Sequence, residues 1–313
     1  MALPYSMRMH YRNAIGLVFA TAVISGFSIF FNKYALAEIS PTFFTFLKNL
    51  VVGIFLLGLL FFTREIQALK KLSKTQWVQL IFIGLIGGAI PFVLFFNGLS
   101  MVSAASGSFV HKTLFIFASI LAVVFLKEKI NKPMIVAAGM LLAGNFLLLK
   151  MQFLSFGMGE LLIFIAVLFW AAENVLSKYV LKELSGTLVG AGRMAFGGGF
   201  ILLYLLFTGG INELFTLNGN GWMWVLITSA LLAGYVFTYY NGLKHLPVST
   251  ASSILLLGSP ITTLLSVLVT GANVTMPQIG GIALLLAGIG ILVHQSRAEH
   301  FKHLLSLRHT HNG

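Results

Sequence analysis

Long apolar stretches alternate with short polar ones along the whole chain. A helix crossing the hydrocarbon core of a bilayer needs roughly 17–25 mostly apolar residues. Ten stretches meet that length, near 14–32, 41–62, 77–97, 104–126, 133–149, 159–177, 187–208, 222–240, 248–269 and 277–294. The connections between them are short, and no soluble domain is inserted. Polar residues inside the stretches fall on faces. In the first, Thr21, Ser25, Ser28 and Asn32 are four, three and four residues apart, which places them along one side of a helix. The ninth carries Ser252, Ser259, Thr263 and Ser266, the sixth Trp170, Glu173, Asn174 and Ser177, and the eighth Thr228, Tyr235, Thr238 and Tyr239. In the fourth, Ser108 lies one turn before His111 and Lys112. Polar groups avoid lipid, so these stripes place spans one, four, six, eight and nine around a central cavity. Packing between helices is the competing reading for each serine and threonine.

Composition excludes a soluble domain. The chain is 58% hydrophobic and 9% charged over 313 residues, with a mean hydropathy of +0.95, too apolar to cover the outside of a water-soluble fold. The fold class is therefore all-α polytopic membrane protein with ten transmembrane helices. With no cysteine, disulfides, thiolate metal sites and cysteine nucleophiles are excluded. A net charge of +12 has to be read by position, because basic residues collect in cytoplasmic loops. With the N-terminus inside, fifteen lysines and arginines fall in inside segments and only Lys33 and Lys150 outside. That bias predicts cytoplasmic termini and an integral protein of a bacterial inner membrane, with the lipid bilayer and no nucleic acid as partner. The segment "MALPYSMRMHYRN" runs into a full-length span with no small-residue cleavage pattern.

The chain also repeats itself. "NKYALAEISPT" (32–42) and "SKYVLKELSGT" (177–187) match at an offset of 145, which also places Lys48 on Arg193 and Gly53 on Gly198. "NGL" (97–99) matches "NGL" (241–243), Pro133 matches Pro277, and "AG" (143–144) matches "AG" (287–288), all at 144. Two copies of a five-span unit follow, over 1–150 and 151–296, with a basic histidine-containing tail at 297–313. Five is odd, so the second copy enters from the opposite side. Inverted repeats of this kind are typical of alternating-access carriers, whose sites lie near the midplane between the copies.

With these features the chain resembles the drug/metabolite transporter superfamily, in its ten-span branch with two EamA-type repeats. Lys48 stands where the family has a basic residue early in the second span. "FLKE" (125–128) stands where its apolar stretch ends in Leu-Gly-Glu. Arg193 and "LGSP" (257–260) hold the corresponding places of the second copy, while "VTGAN" (269–273) lacks the acidic residue. The resemblance implies a carrier of small metabolites or drugs without an ATP site, and leaves the substrate open.

The ionisable residues narrow the chemistry. Lys, Arg or Asp at a span's centre costs about 2.5–3.5 kcal/mol on insertion scales, so exposure to lipid is not expected. Lys48 and Arg193 are repeat-related, so a structural role common to both halves competes with substrate contact. Lys112 and His111 have Leu256 and Leu255 as counterparts, and Glu173 has Ser28. These unmatched residues predict a site in which Lys112, helped by His111, receives an anionic group. Glu173 takes an ammonium or a coupling proton, with Trp170, Asn174, Ser28, Asn32, Tyr235, Tyr239 and Ser252 as walls. A neutralising pair between Lys112 and Glu173 is the alternative.

Pro91, in "IGGAIP", and Pro260, in "GSP", are expected hinges, since proline interrupts the helical ladder. "GGG" (197–199) allows close helix approach. The tail holds His294, His300, His303, His309 and His311 without acidic or thiol partners, which predicts an interfacial basic helix and no bound metal. No cofactor is expected. The expected function is ATP-independent alternating-access export or exchange of a small metabolite such as an amino acid or organic anion, driven by proton or substrate counter-transport. Export of cationic or lipophilic drugs is the second reading, favoured if Glu173 dominates. An intramembrane lipid-modifying enzyme would need a catalytic constellation, and no HExxH, GxSxG or pair of intramembrane aspartates occurs. The oligomeric state is not legible in the sequence.

Overall fold

Inside a bilayer a single chain segment can satisfy its own backbone polar groups only as a helix, and the chain folds accordingly. The structure, a computed structural model, describes residues 5–129, 131–148, 157–271 and 273–310, with side chains described between Tyr11 and Gln295 outside those gaps and Thr270. Among the described residues, ten apolar helices follow one another. They are Tyr11–Ala35, Pro41–Phe62, Lys74–Met101, Ala104–Leu126, the shorter Lys132–Leu148, Met158–Val180, Gly186–Thr208, Gly219–Leu243, Val248–Val269 and Met276–Gln295. No strand occurs among the described residues. Apart from the chain-terminal ends of the first helix, which begins at Tyr5, and of the tenth, every span ends within about one helical turn of its expected boundary. The tenth helix continues without a break to Thr310, so the tail extends that span. Lys150 and His311 lie outside the described residues, as does the side-chain environment of the other tail histidines after His294.

Packing follows the repeat. The second span packs mainly on the seventh and the fifth on the tenth; the first packs on the eighth and the third on the sixth. Advancing each span by five maps the first two pairs onto themselves and exchanges the last two. That is the contact pattern of two inverted five-helix repeats about a pseudo-two-fold axis.

Polar ties repeat in the same way. Lys33 donates to the Leu99 and Ser100 carbonyls at 3.0 and 2.9 Å. Its counterpart Lys178 donates to those of Leu243 and Lys244 at 2.8 and 3.0 Å. Each lysine thus satisfies carbonyls that the end of a helix leaves unpaired. Ser40 is tied through its amide and hydroxyl to Glu213, and its counterpart Ser185 donates to Glu65 at 2.5 Å.

Three spans are irregular. The third passes through a π-helix, Gly84–Ala89, before resuming at Ile90–Met101 with Pro91 in the first turn. Glycine lets the seventh span approach here: a methyl group on Gly197 would lie 2.6 Å from the Gly88 carbonyl carbon. Gly199 of the same triplet has open space around it. The fourth span breaks at Thr113, between Ala104–Lys112 and Leu114–Leu126. The ninth breaks at a 3-10 turn, Leu255–Leu257, between Val248–Ile254 and Gly258–Thr270. Thr113 and Leu257 are related by the repeat offset of 144, so both copies bend their fourth helix at one place. The expected hinge at Pro260 lies three residues beyond this break. That proline sits in the first turn of the following helix, where its missing N–H is not needed.

Candidate functional site

A cavity with about 70 Å³ of room for water-sized molecules lies between the two copies. Each copy brings its basic residue to it. Lys48, 1% exposed, donates to Asn32 Oδ1 at 2.6 Å and lies 4.8 and 4.7 Å from the ring centres of Phe44 and Phe96. Arg193, 5% exposed, donates to the Gly87 carbonyl at 2.9 Å and lies over Phe92 and Tyr240 at 5.1 and 5.8 Å. Phe96 and Tyr240 are themselves repeat-related, at an offset of 144. The two cations therefore sit in matching sockets, each with a ring face that partly replaces hydration.

Local backbone chemistry supplies the arginine's partner. In an α-helix the Gly87 carbonyl would accept from the amide four residues on, and that residue is Pro91, which has none. The carbonyl instead accepts from Arg193 Nη2 and from Trp170 Nε1, both at 2.9 Å. The next carbonyl, Gly88, accepts from Asn49 Nδ2 at 2.7 Å. Pro91 thus exposes backbone oxygen toward the other copy.

Glu173 is buried and accepts at one oxygen, Oε1, from Ser177 and Tyr240, both at 2.5 Å. The equivalent position in the first copy holds Ser28, which accepts from Asn32 Nδ2 at 3.2 Å. The cavity is thus asymmetric: Lys48 faces neutral groups in its own copy, and Arg193 shares its copy with a carboxylate.

Most of the expected wall is present. Ser28, Asn32, His111, Trp170, Glu173, Asn174, Tyr235 and Tyr239 line the cavity, together with Lys48 and Arg193. His111 packs edge-on against Phe95 and Trp170, with ring centres 5.3 and 5.2 Å away, and Tyr235 stacks on Tyr239 at 5.7 Å. Three buried polar atoms on this wall have no protein partner among the described residues: His111 Nδ1, Arg193 Nε and Tyr239 Oη.

Two expected contacts lie elsewhere. Lys112 is not part of the lining. Adjacent helical residues point about 100° apart, and His111 takes the cavity face while Lys112 turns to Ser25 Oγ at 2.7 Å. Lys112 and Glu173 therefore have separate partners and do not form the neutralising pair. Ser252 bonds back to the Val248 and Ser249 carbonyls, and the ninth span contributes nothing to the lining. Spans two, three and seven contribute instead, through Lys48, the Phe92, Phe95 and Phe96 face, and Arg193. The phenylalanines were hidden in an apolar run. Only their repeat relation to Val236, Tyr239 and Tyr240 marks them out.

Among the described residues, ten apolar helices in two copies close on a cavity at their interface, the architecture of a polytopic membrane protein. The model of the EamA-like transporter family matches residues 12–150 and again 157–294, and the chain belongs to that family. It is 24% identical over 280 residues to the uncharacterized transporter YyaM of Bacillus subtilis, covering 85% of this chain and 91% of the relative. It is 24% identical over 300 residues to the riboflavin transporter ImpX of Fusobacterium nucleatum, covering 90% and 98%. A crystal structure superimposes with a TM-score of 0.74 at 18% identity, over 92% of this chain and 99% of that one. The protein is an integral membrane protein of a transporter family.

Proposed function

We propose that the protein is a secondary, ATP-independent carrier that works by alternating access and moves a small metabolite bearing an anionic group, an amino acid or organic anion. One observation carries the reading: Lys48 and Arg193 line one cavity with only neutral oxygens as hydrogen-bond partners. Buried charges are stable when paired, and an anion bound between the copies pairs both. Glu173, with its Oε2 outside the Ser177 and Tyr240 bonds, suits the ammonium of a zwitterion. The aromatic wall suits an apolar side chain. The equivalent bends at Thr113 and Leu255–Leu257 would let the copies exchange roles as the cavity opens to one side and then the other. Basic loop residues support a cytoplasmic face at the inner ends and a bacterial inner membrane as location.

The test is flux in reconstituted vesicles against l-amino acids, dicarboxylates, riboflavin and cationic dyes. Carboxylate-bearing compounds are expected to move, and Lys48→Ala or Arg193→Ala to abolish their flux. Movement of cationic dyes alone, dependent on Glu173 and indifferent to Lys48, would instead establish the drug-export reading.

A further inference from the structure

Lys112 is left over from the cavity. It is 2% exposed, and its side-chain hydrogen bond goes to one neutral hydroxyl, Ser25 Oγ, at 2.7 Å. It ends the first half of the fourth span, directly before the bend at Thr113. Across from it is Gly258, the first residue after the bend of the ninth span; a methyl group there would lie 2.9 Å from Lys112 Nζ and 3.1 Å from the Ala22 carbonyl oxygen. The ammonium therefore occupies the crossing of the two bent helices with the first span, and Gly258 keeps room for it. Ser25, its partner, lines the cavity.

We propose that Lys112 is the proton-binding residue of the transport cycle, reporting its charge to the cavity through Ser25 and to the two bends through Gly258. This extends the carrier reading above and rests on it. The chemistry follows from donor and acceptor counts. A charged lysine only donates, so it takes a lone pair of Ser25 Oγ and leaves the serine proton to point into the cavity. Once Lys112 has passed one proton to water, its amine nitrogen accepts. Ser25 then donates to it and turns oxygen lone pairs to the cavity. Ser25 thus offers the cavity a donor in the charged state and an acceptor in the neutral one. An anion prefers the donor, so proton and anion binding strengthen each other by one factor, as linkage requires.

The surroundings leave the assignment to Lys112. The ninth span carries no ionisable side chain, and the facing part of the first offers serines and Asn32. The sixth brings Glu160, bonded to Ser106 and the Gly157 amide, and Glu173, bonded to Ser177 and Tyr240. Spans three and five carry ionisable groups only at their first residues, Lys74 and Lys132. On its own span the neighbour is His111, turned into the cavity.

The test needs no substrate. The chain has no cysteine, so spin labels at Lys74→Cys and Lys129→Cys, both exposed, report the spacing of the inner ends of spans three and four in lipid. The distance distribution is expected to shift between acidic and alkaline buffer. Lys112→Met should remove the shift, and Lys112→Arg should hold the acidic distribution at every pH. His111→Gln and Glu173→Gln should keep the shift. A distribution indifferent to pH in the otherwise unaltered protein, or a shift that survives Lys112→Met or disappears with Glu173→Gln, overturns the proposal. Flux of an anion that persists in the absence of any pH response would leave the carrier reading standing alone.

Discussion

Lys33 and Lys178 occupy one structural role in opposite orientations. Each reaches from the end of the first helix of its copy to the last carbonyls of a helix in the third position, Leu99 and Ser100 for one, Leu243 and Lys244 for the other. Charge-assisted bonds of this kind contribute about 1.5–3 kcal/mol. Lys33→Met and Lys178→Met are each expected to destabilise the protein by about that amount, measured as a lowered melting temperature in detergent. The double variant should come close to the sum, because distant sites add. Loss at one site alone would break the equivalence.

Glu128 ties the ends of the fourth and ninth spans. Its carboxylate accepts from the Val248 amide at 2.6 Å and from the Ser249 amide and hydroxyl at 3.2 and 2.5 Å. Those amides belong to the first turn of a helix and have no partner within it. Glu128→Ala is expected to cost about 1–3 kcal/mol, and Glu128→Gln less, since an amide oxygen still accepts. Chemical denaturation of the detergent-solubilised protein reads the difference.

Gly197 and Gly199 should respond oppositely to the same change. A methyl group at Gly197 meets the Gly88 backbone, whereas one at Gly199 meets nothing within 4 Å. Overpacking costs about 1–3 kcal/mol, so Gly197→Ala is expected to lower the melting temperature. Gly199→Ala should leave it unchanged or raise it, as alanine is the better helix former.

Lys48→Met should weaken binding of a carboxylate-bearing substrate by roughly tenfold to a hundredfold, the equivalent of about 1.5–3 kcal/mol for one charge-assisted bond. Tryptophan fluorescence titration reports it, since Trp170 is on the cavity wall. Lys48→Arg should recover part of the loss.

Orientation can be checked with an impermeant maleimide, again because the chain has no native thiol. Asn220→Cys is expected to label in intact cells, and Lys70→Cys only after the membrane is opened.

The ten spans and their ends were legible because hydropathy is decisive over twenty residues. The repeat was legible because the offset is nearly constant. What failed was rotation about a helix axis. Nothing in "VHKT" says which of His111 and Lys112 turns to the cavity, since the answer depends on how the fourth span leans on the first. For the matched pair Lys48 and Arg193 the sequence leaves a structural role and substrate contact in competition, because both copies have it. In an inverted repeat, residues shared by both copies can face the pseudo-two-fold axis together, and there the cavity lies. The bend at Thr113 carries neither proline nor glycine. Only its counterpart in the ninth span marks it.

The π-helix of the third span has one more consequence. The helix caps Ser73 and Asn218 are 145 residues apart, whereas Asn97 and Asn241 are 144 apart. Between those landmarks the first copy is one residue longer, and the only element there is the third span, where Gly84–Ala89 is wound with an extra residue per turn. The extra residue of the first copy is accommodated as a wider coil rather than pushed out into a loop. The two halves are therefore not interchangeable at the place where one half's backbone holds the other half's arginine.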